Sequence, residues 1–275
     1  HVSVGTFTLE PYTSWTPSLA ILILNDHNHF THLTPNKAAH ILRTFPLLIQ
    51  YSVYINTDIH DLPFDLEQLE PIEHIHLKSL AISWEAWIDP GLLLDSLSTP
   101  SLQSLGLAAG SQYLEMEDRP HLSNFLQRSR PPLLDLILER FECDHGLLLQ
   151  ALSWTPNLER LWLERCMLDD IVIRGLYSSG NGVLRTLKTL ILDKCFGFYH
   201  IEVFALVLKE HASANGGNPS VKVHLNKSLI IDPGHILLLE EMSITNIEFG
   251  DKNISLDMID KLGRMIIVKE HLSSN

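Results

Sequence analysis

The stretch Thr155 to Cys166, TPNLERLWLERC, spaces Leu158, Leu161 and Leu163 at steps of three and then two. A helix repeats near 3.6 residues and a strand at 2, so neither element by itself produces that pattern. The same step returns in PSLAILILND (Leu19, Leu22, Leu24), PLLIQYSVYIN (Leu48, Tyr51, Val53) and LKSLAI (Leu77, Leu80, Ile82). It returns again in PSLQSLGL (Leu102, Leu105, Leu107), PPLLDLIL (Leu133, Leu136, Leu138) and LKTLIL (Leu187, Leu190, Leu192). The seven first leucines stand at 19, 48, 77, 102, 133, 158 and 187, with steps of 29, 29, 25, 31, 25 and 29. A spacing held that closely restricts the chain to a stack of similar units, none of which can bury its apolar face alone. Leucine supplies 50 of the 275 residues, the abundance such a rule demands.

A period of about 20 to 29 residues with L-x-x-L-x-L is the pattern of a leucine-rich repeat, in which each unit contributes one short strand and one returning helix. The expected fold is therefore α/β: a leucine-rich-repeat solenoid, or horseshoe, with a curved parallel β-sheet on the concave face and helices on the convex face. We read residues 1–275 as a single domain. It has seven clear units over 15–212, degenerate units over 213–252 (at Val221 and at Ile244, Ile247 and Phe249), and a C-terminal capping helix over 255–272. Helix starts are written into the chain, since Thr34-Pro35 reads as a cap followed by a first-turn proline, and Asp89-Pro90 and Asp232-Pro233 read the same way. HLSNFLQRS, DHGLLLQALSW, DDIVIRGLY and HIEVFALVLKEH each carry apolar residues on one helical face. SANGGNPS is the clearest loop.

Charge and cysteine content narrow the function. The net charge of −13 removes long-range attraction to phosphate, so nucleic acid is not expected as the main partner. No apolar run reaches 18 residues, and no membrane partner is expected. Cys143, Cys166 and Cys195 are too few and too scattered for a disulfide framework or a zinc cluster, which points to a reducing compartment, cytoplasmic or nuclear. Cys166 and Cys195 fall at the ninth position of their units, alongside Asn56, His27, Glu85, Gly110 and Phe141, and are expected to be small buried turn residues. The chain opens on His1, so further sequence upstream is expected.

His27, His29 and His32 in DHNHFTH, and His74 and His76 in HIH, invite a metal reading. They fall at different points of their repeats and lack converging partners, so they read as turn and surface histidines, and no cofactor is expected. A histidine-dependent metal enzyme is the alternative from another functional class. No G-x-S-x-G, G-x-x-x-x-G-K-[ST] or H-E-x-x-H occurs, and the protein is read as non-catalytic. Asn226-Lys-Ser and Asn253-Ile-Ser match the glycosylation sequon and are read as bare. Asp169-Asp170 is read as capping a helix dipole.

Pro-x-Leu strands following helices that end in L..TP or L..RPP, sharpest in LLLQALSWTPNLERLWLERC, resemble the leucine-rich region of fungal F-box-like proteins, particularly those of mushroom-forming fungi. The similarity covers about residues 10–225. The resemblance implies repeats that select a protein for ubiquitination, and an F-box that docks on the adaptor of a cullin ubiquitin ligase. HVSVGTFTLEPYTSW is too short to contain that F-box, so coupling to the adaptor is implied for a parent protein only. A protein-interaction scaffold with no link to ubiquitin is the alternative within the same class.

If positions one, four and six of each unit face the core, positions three, five, seven and eight face the concave surface or its edge. Position five then places Ile137, Trp162 and Ile191 side by side, as an exposed apolar strip. Position seven supplies Glu139, Glu164 and Asp193, and position eight Arg140, Arg165 and Lys194. The expected partner-binding residues are Trp162, Ile137, Ile191, Arg160, Arg165, Glu164, Asp193 and Arg140, with Trp162 and an arginine as anchors for a protein partner or substrate. The competing expectation is that the charges simply pair along the sheet.

Overall fold

A computed structural model describes residues 2–3, 19–24, 33–56, 69–85, 88, 90–110, 120–141, 145–177, 186–195, 222–226 and 247–249. Each of the seven L-x-x-L-x-L motifs supplies a strand: β2 (Ile21–Leu24), β3 (Gln50–Ile55), β5 (Ser79–Trp84), β7 (Ser104–Ala109), β8 (Asp135–Glu139), β9 (Arg160–Glu164) and β10 (Thr189–Asp193). The two degenerate units supply β11 (Lys222–Asn226) and β12 (Ile247–Phe249), and a strand ahead of the first unit, β1 (Val2–Ser3), was not foreseen. These ten form one parallel sheet in the order β1-β2-β3-β5-β7-β8-β9-β10-β11-β12. Two further short strands, β4 (Ile72–Glu73) and β6 (Leu97–Ser98), pair with each other in a separate small sheet. Spatial order thus follows chain order, as it must when every strand is returned beside its predecessor by the next segment.

The described helices are α1 (Pro35–Thr44), α2 (Gly91–Ser96), α3 (His121–Ser129), α4 (His145–Ser153) and α5 (Asp170–Tyr177). Thr34 caps α1, its hydroxyl accepting from the Lys37 amide at 3.2 Å with Pro35 at the first helical position. Asp169 caps α5, where its Oδ1 accepts from the Val172 amide at 2.8 Å. The expected start at Asp89-Pro90 differs, since α2 begins at Gly91 with Pro90 as its cap residue and no side-chain cap bond. Asp89 itself, Asp232-Pro233, the HIEVFALVLKEH helix, SANGGNPS and the capping helix over 255–272 lie outside the described residues.

The register explains why leucine is spaced as it is. Leu105, Leu136, Leu161 and Leu190 share one rung, and Leu107, Leu138, Leu163 and Leu192 another. All eight are at most 1% exposed, in a cluster that also takes Ala38, Ile41, Leu94, Phe125, Leu126, Leu152 and Ile173 from the helices. Positions four and six therefore form the helix-facing side of the sheet, and position one (Leu48, Leu77, Leu102, Leu133, Leu158, Leu187) closes the cluster where the chain enters each strand. Three atoms of backbone explain the first step of three: the position-two carbonyl of one unit accepts from the amides of positions two and three of the next. Lys78 accepts from Gln103 and Ser104 at 2.8 and 3.0 Å, Gln103 from Leu134 and Asp135 at 2.8 and 3.0 Å, and Leu134 from Glu159 and Arg160, both at 2.9 Å. That double acceptance bends the chain into the strand, so position one turns inward a full turn before the alternation of the strand begins.

Candidate interaction surface

Residues at positions three, five and seven alternate with the core leucines and so occupy the opposite side of the sheet. The helix residues of the core all lie on the other side, and among the described residues no helix covers this one. Its position-five row runs Ser52, Ala81, Gly106, Ile137, Trp162 and Ile191 on successive strands. The expected juxtaposition of Ile137, Trp162 and Ile191 is present.

Their exposure is not as expected. Trp162 is 8% and Ile191 3% exposed, and only Ile137 is half-buried, so the row is not an exposed apolar strip. Strand spacing is the cause. Parallel strands lie about 4.8 Å apart, which brings same-rung side chains within reach of one another. Trp162 and Ile191 are nevertheless absent from the helix-side core, which makes this a second, thinner buried layer. Burial leaves the indole Nε1 of Trp162 without a hydrogen-bond partner among the described residues.

The charged side chains around that layer pair extensively. Arg160 grips Asp135 on the neighbouring strand through two bonds, Nε to Oδ1 and Nη2 to Oδ2, the second at 2.7 Å. This bidentate contact also holds the Arg160 guanidinium above its usual pKa, against the opposing effect of burial. Glu139 is 3% exposed and faces Arg140 at 3.3 Å and Arg165 at 3.5 Å, and Arg165 reaches Glu164 at 3.9 Å. Glu164 is pushed above the usual carboxylate range, first by burial and then by the like charge of Asp193 on the same rung of β10. Of the residues expected to bind a partner, Arg140, Arg165 and Glu164 are therefore engaged in one charge network with Glu139, and Arg160 with Asp135, so these charges pair along the sheet. Asp135 was missed as a member, although its place at position three beside Arg160 is readable once the register is known.

Arg140, Arg165 and Lys194 share a further property. All three are left-handed, with φ of 48°, 53° and 53°. The backbone turn lets the Arg140 amide donate to the Glu164 carbonyl and the Arg165 amide to the Asp193 carbonyl, each at 2.8 Å. Position eight thus ends each strand by bonding forward to the next unit, whereas position three begins it by bonding back. Directly after it, Cys166 and Cys195 are 3% and 2% exposed, and their thiols approach carbonyls of the preceding strand, Leu138 at 3.4 Å and Leu163 at 3.1 Å. Burial, chiefly, raises the Cys195 thiol far above its ordinary pKa. Both are turn residues, as their position implied.

No family model, curated protein or solved structure matches this chain.

The histidine groups divide. His27, His29 and His32 lie outside the described residues, and His76 is exposed. His74 is not the surface residue that was expected: it is 2% exposed, with Nε2 3.1 Å from the Phe45 carbonyl. It lies directly beyond β4, and its amide bonds the Ser98 carbonyl at 2.8 Å, which places it at the edge of the small second sheet that the repeat pattern does not show. Among the described residues no cluster of three or more His, Cys, Asp or Glu could hold a metal, and no helix is long and apolar enough to cross a membrane.

Proposed function

We propose that this chain is a leucine-rich-repeat solenoid, curved as a horseshoe, that recognises a partner protein with the side of its sheet opposite the helices and carries out no catalysis. The period of the repeat, the in-order parallel strands and the repeated double-acceptor backbone bond support the solenoid. The observation that carries the function is the row Ile137, Trp162 and Ile191, three large apolar side chains on one rung of successive strands, on a face that no described helix covers, with an indole N–H that has no acceptor among the described residues. A buried donor without a partner costs free energy unless a ligand satisfies it, and a tryptophan among paired charges is the composition of a binding hot spot. By its resemblance to fungal F-box-like proteins, we take the partner to be a substrate of a cullin ubiquitin ligase, selected in the cytoplasm or nucleus.

Affinity capture from the source cell tests this, with Trp162→Phe and Ile137→Asp beside the unaltered chain. Trp162→Phe keeps an aromatic ring but removes the donor and the indole's second ring, so a partner that uses the indole should be held at least 10-fold more weakly, with the urea midpoint measured beside it to separate binding from lost packing. Equal recovery by all three proteins would place recognition elsewhere. Capture with any longer protein that contains this chain would decide the ubiquitin link, because a partner retained with no ligase adaptor would leave the scaffold reading.

A further inference from the structure

The small sheet is fastened unequally. β6 is tied to α3: Arg128 donates from Nε and Nη2 to the Leu97 carbonyl at 2.9 and 2.7 Å, and the Ser129 hydroxyl accepts from the Thr99 amide at 3.0 Å. β4 is held by a two-residue pairing with β6, by the buried side chain of Ile72 and by His74, the residue that follows it. His74 ties three pieces together. Its amide donates to the Ser98 carbonyl at 2.8 Å, and its ring lies 3.1 Å from the carbonyl of Phe45, the residue that ends α1. The turn after it, Ile75 and His76, is exposed.

The site suits one charge state of the ring. A carbonyl only accepts, so Nε2 carries the hydrogen in the bond to Phe45, and Nδ1 of the neutral ring is a bare acceptor. Nδ1 is buried and has no hydrogen-bond partner among the described residues. A proton added there creates a buried donor with nothing to receive it and a full charge in a site 2% exposed. The charged groups nearby do not compensate. Glu70 and Glu73 beside the ring's own segment are exposed, and His76 opposes a charge on His74. On α1, Lys37, His40 and Arg43 are exposed, and Arg43 donates to the Glu70 carbonyl at 2.7 Å. Asp95 of α2 is bonded to His121 at 2.7 Å, and Arg128 of α3 is taken up by the carbonyls of Leu94 and Leu97. Lys78, where the chain enters β5, is exposed.

We propose that His74 is a pH-sensitive latch on the helix side of the sheet: uncharged, it fastens β4 between α1 and β6, and once protonated its ring leaves the site for water and takes β4 off β6. A free imidazole takes up its proton near pH 6.5, and the seated ring does so less readily. The latch is therefore closed above about pH 6.5 and opens as pH falls below it. Opening is local, because β6 stays bonded to α3 and the ten-stranded sheet does not depend on β4 for its own pairing. It uncovers Ile72 and Leu97, which are 5% and 0% exposed when the latch is closed.

Hydrogen–deuterium exchange at about pH 7.5 and 5.5, with rates corrected for the intrinsic pH dependence of amide exchange, tests this on the unaltered chain. Protection of the His74 amide and of its neighbours in β4 should fall about 10-fold on acidification, whereas protection in β8, β9 and β10 should change less than about 3-fold. His74→Gln can still donate to the Phe45 carbonyl but cannot take up a proton, so it should keep its protection at the lower pH. His76→Gln, altered at the exposed neighbour, should open as the unaltered chain does. His74→Phe, which cannot titrate either, serves if His74→Gln does not fold, as judged by circular dichroism. Three results would each overturn the latch: equal loss in β4 and in β8 to β10, a loss that survives replacement of His74, or a loss abolished by His76→Gln.

Discussion

Leu161 and Trp162 are adjacent on β9 and both are buried, at 0% and 8% exposure, yet they are buried by different neighbours. Leu161 belongs to the cluster that ties β2, β3, β5, β7, β8, β9 and β10 to the helices, and Trp162 does not. On Leu161's side every unit presents the same kind of residue, because each leucine must meet its equivalents on both adjacent strands and a helix behind them. On Trp162's side the residue changes from Ser52 to Gly106 to Trp162 along one row, because only same-rung neighbours constrain it. One side is set by the repeat. The other is free to differ from unit to unit, and such freedom is what recognition requires.

The sharpest way to break this comparison is to cut one residue from each side. Leu161→Ala should cost about 2–5 kcal/mol, since it opens a cavity closed by strands and helices that cannot collapse together. The urea midpoint measures it, and a change under about 0.5 kcal/mol would mean that Leu161 is not a core residue. Hydrogen exchange on this variant should lose protection most strongly around β8 to β10, because contacts in a stack run between neighbours. Uniform loss from end to end would contradict a repeat.

Trp162→Ala should cost less, about 1–3 kcal/mol, although it removes a larger side chain. It stands outside the helix-side core, no described helix backs it, and water and the flanking Arg160 and Glu164 chains can move into the space. A loss equal to or greater than that of Leu161→Ala would show that the two sides of the sheet are energetically alike.

The smallest expected effect lies away from both sides, at His74. Burial holds its imidazole below the ordinary value of 6.5, outweighing the favourable bond to the Phe45 carbonyl. The unfolded chain therefore binds the proton more readily than the folded one. Stability from this group is intact above about pH 6.5 and is lost as pH falls from there toward the lowered folded pKa. Urea midpoints at pH 7.5 and 5.5 should fall further for the unaltered protein than for His74→Gln, which cannot titrate. Parallel falls would show that His74 is accessible to protons in the folded state.

The repeat was readable because it obeys one constraint applied many times. Leucine at three-then-two steps located β2, β3, β5, β7, β8, β9 and β10 and the side of each strand that is buried, and Thr34 and Asp169 announced their helices through local hydrogen-bond chemistry. Even the rung shared by Ile137, Trp162 and Ile191 followed from counting within units. Those statements need only the chain's own periodicity and the preference of short side chains for helix ends. The short strands β1, β4 and β6 left no such trace, being two residues each.

What periodicity could not decide was how crowded each side would be. Alternation tells which way Trp162 points but not that it would be only 8% exposed, nor that the Ser104 hydroxyl would lack a partner among the described residues. Nor could it show that the unit containing His74 adds a second small sheet, or that the ring is buried against the Phe45 carbonyl. Direction is a property of the backbone at one residue and is written locally. Burial and hydrogen-bond satisfaction depend on which side chains of other units arrive at the same place, and only the assembled sheet settles that.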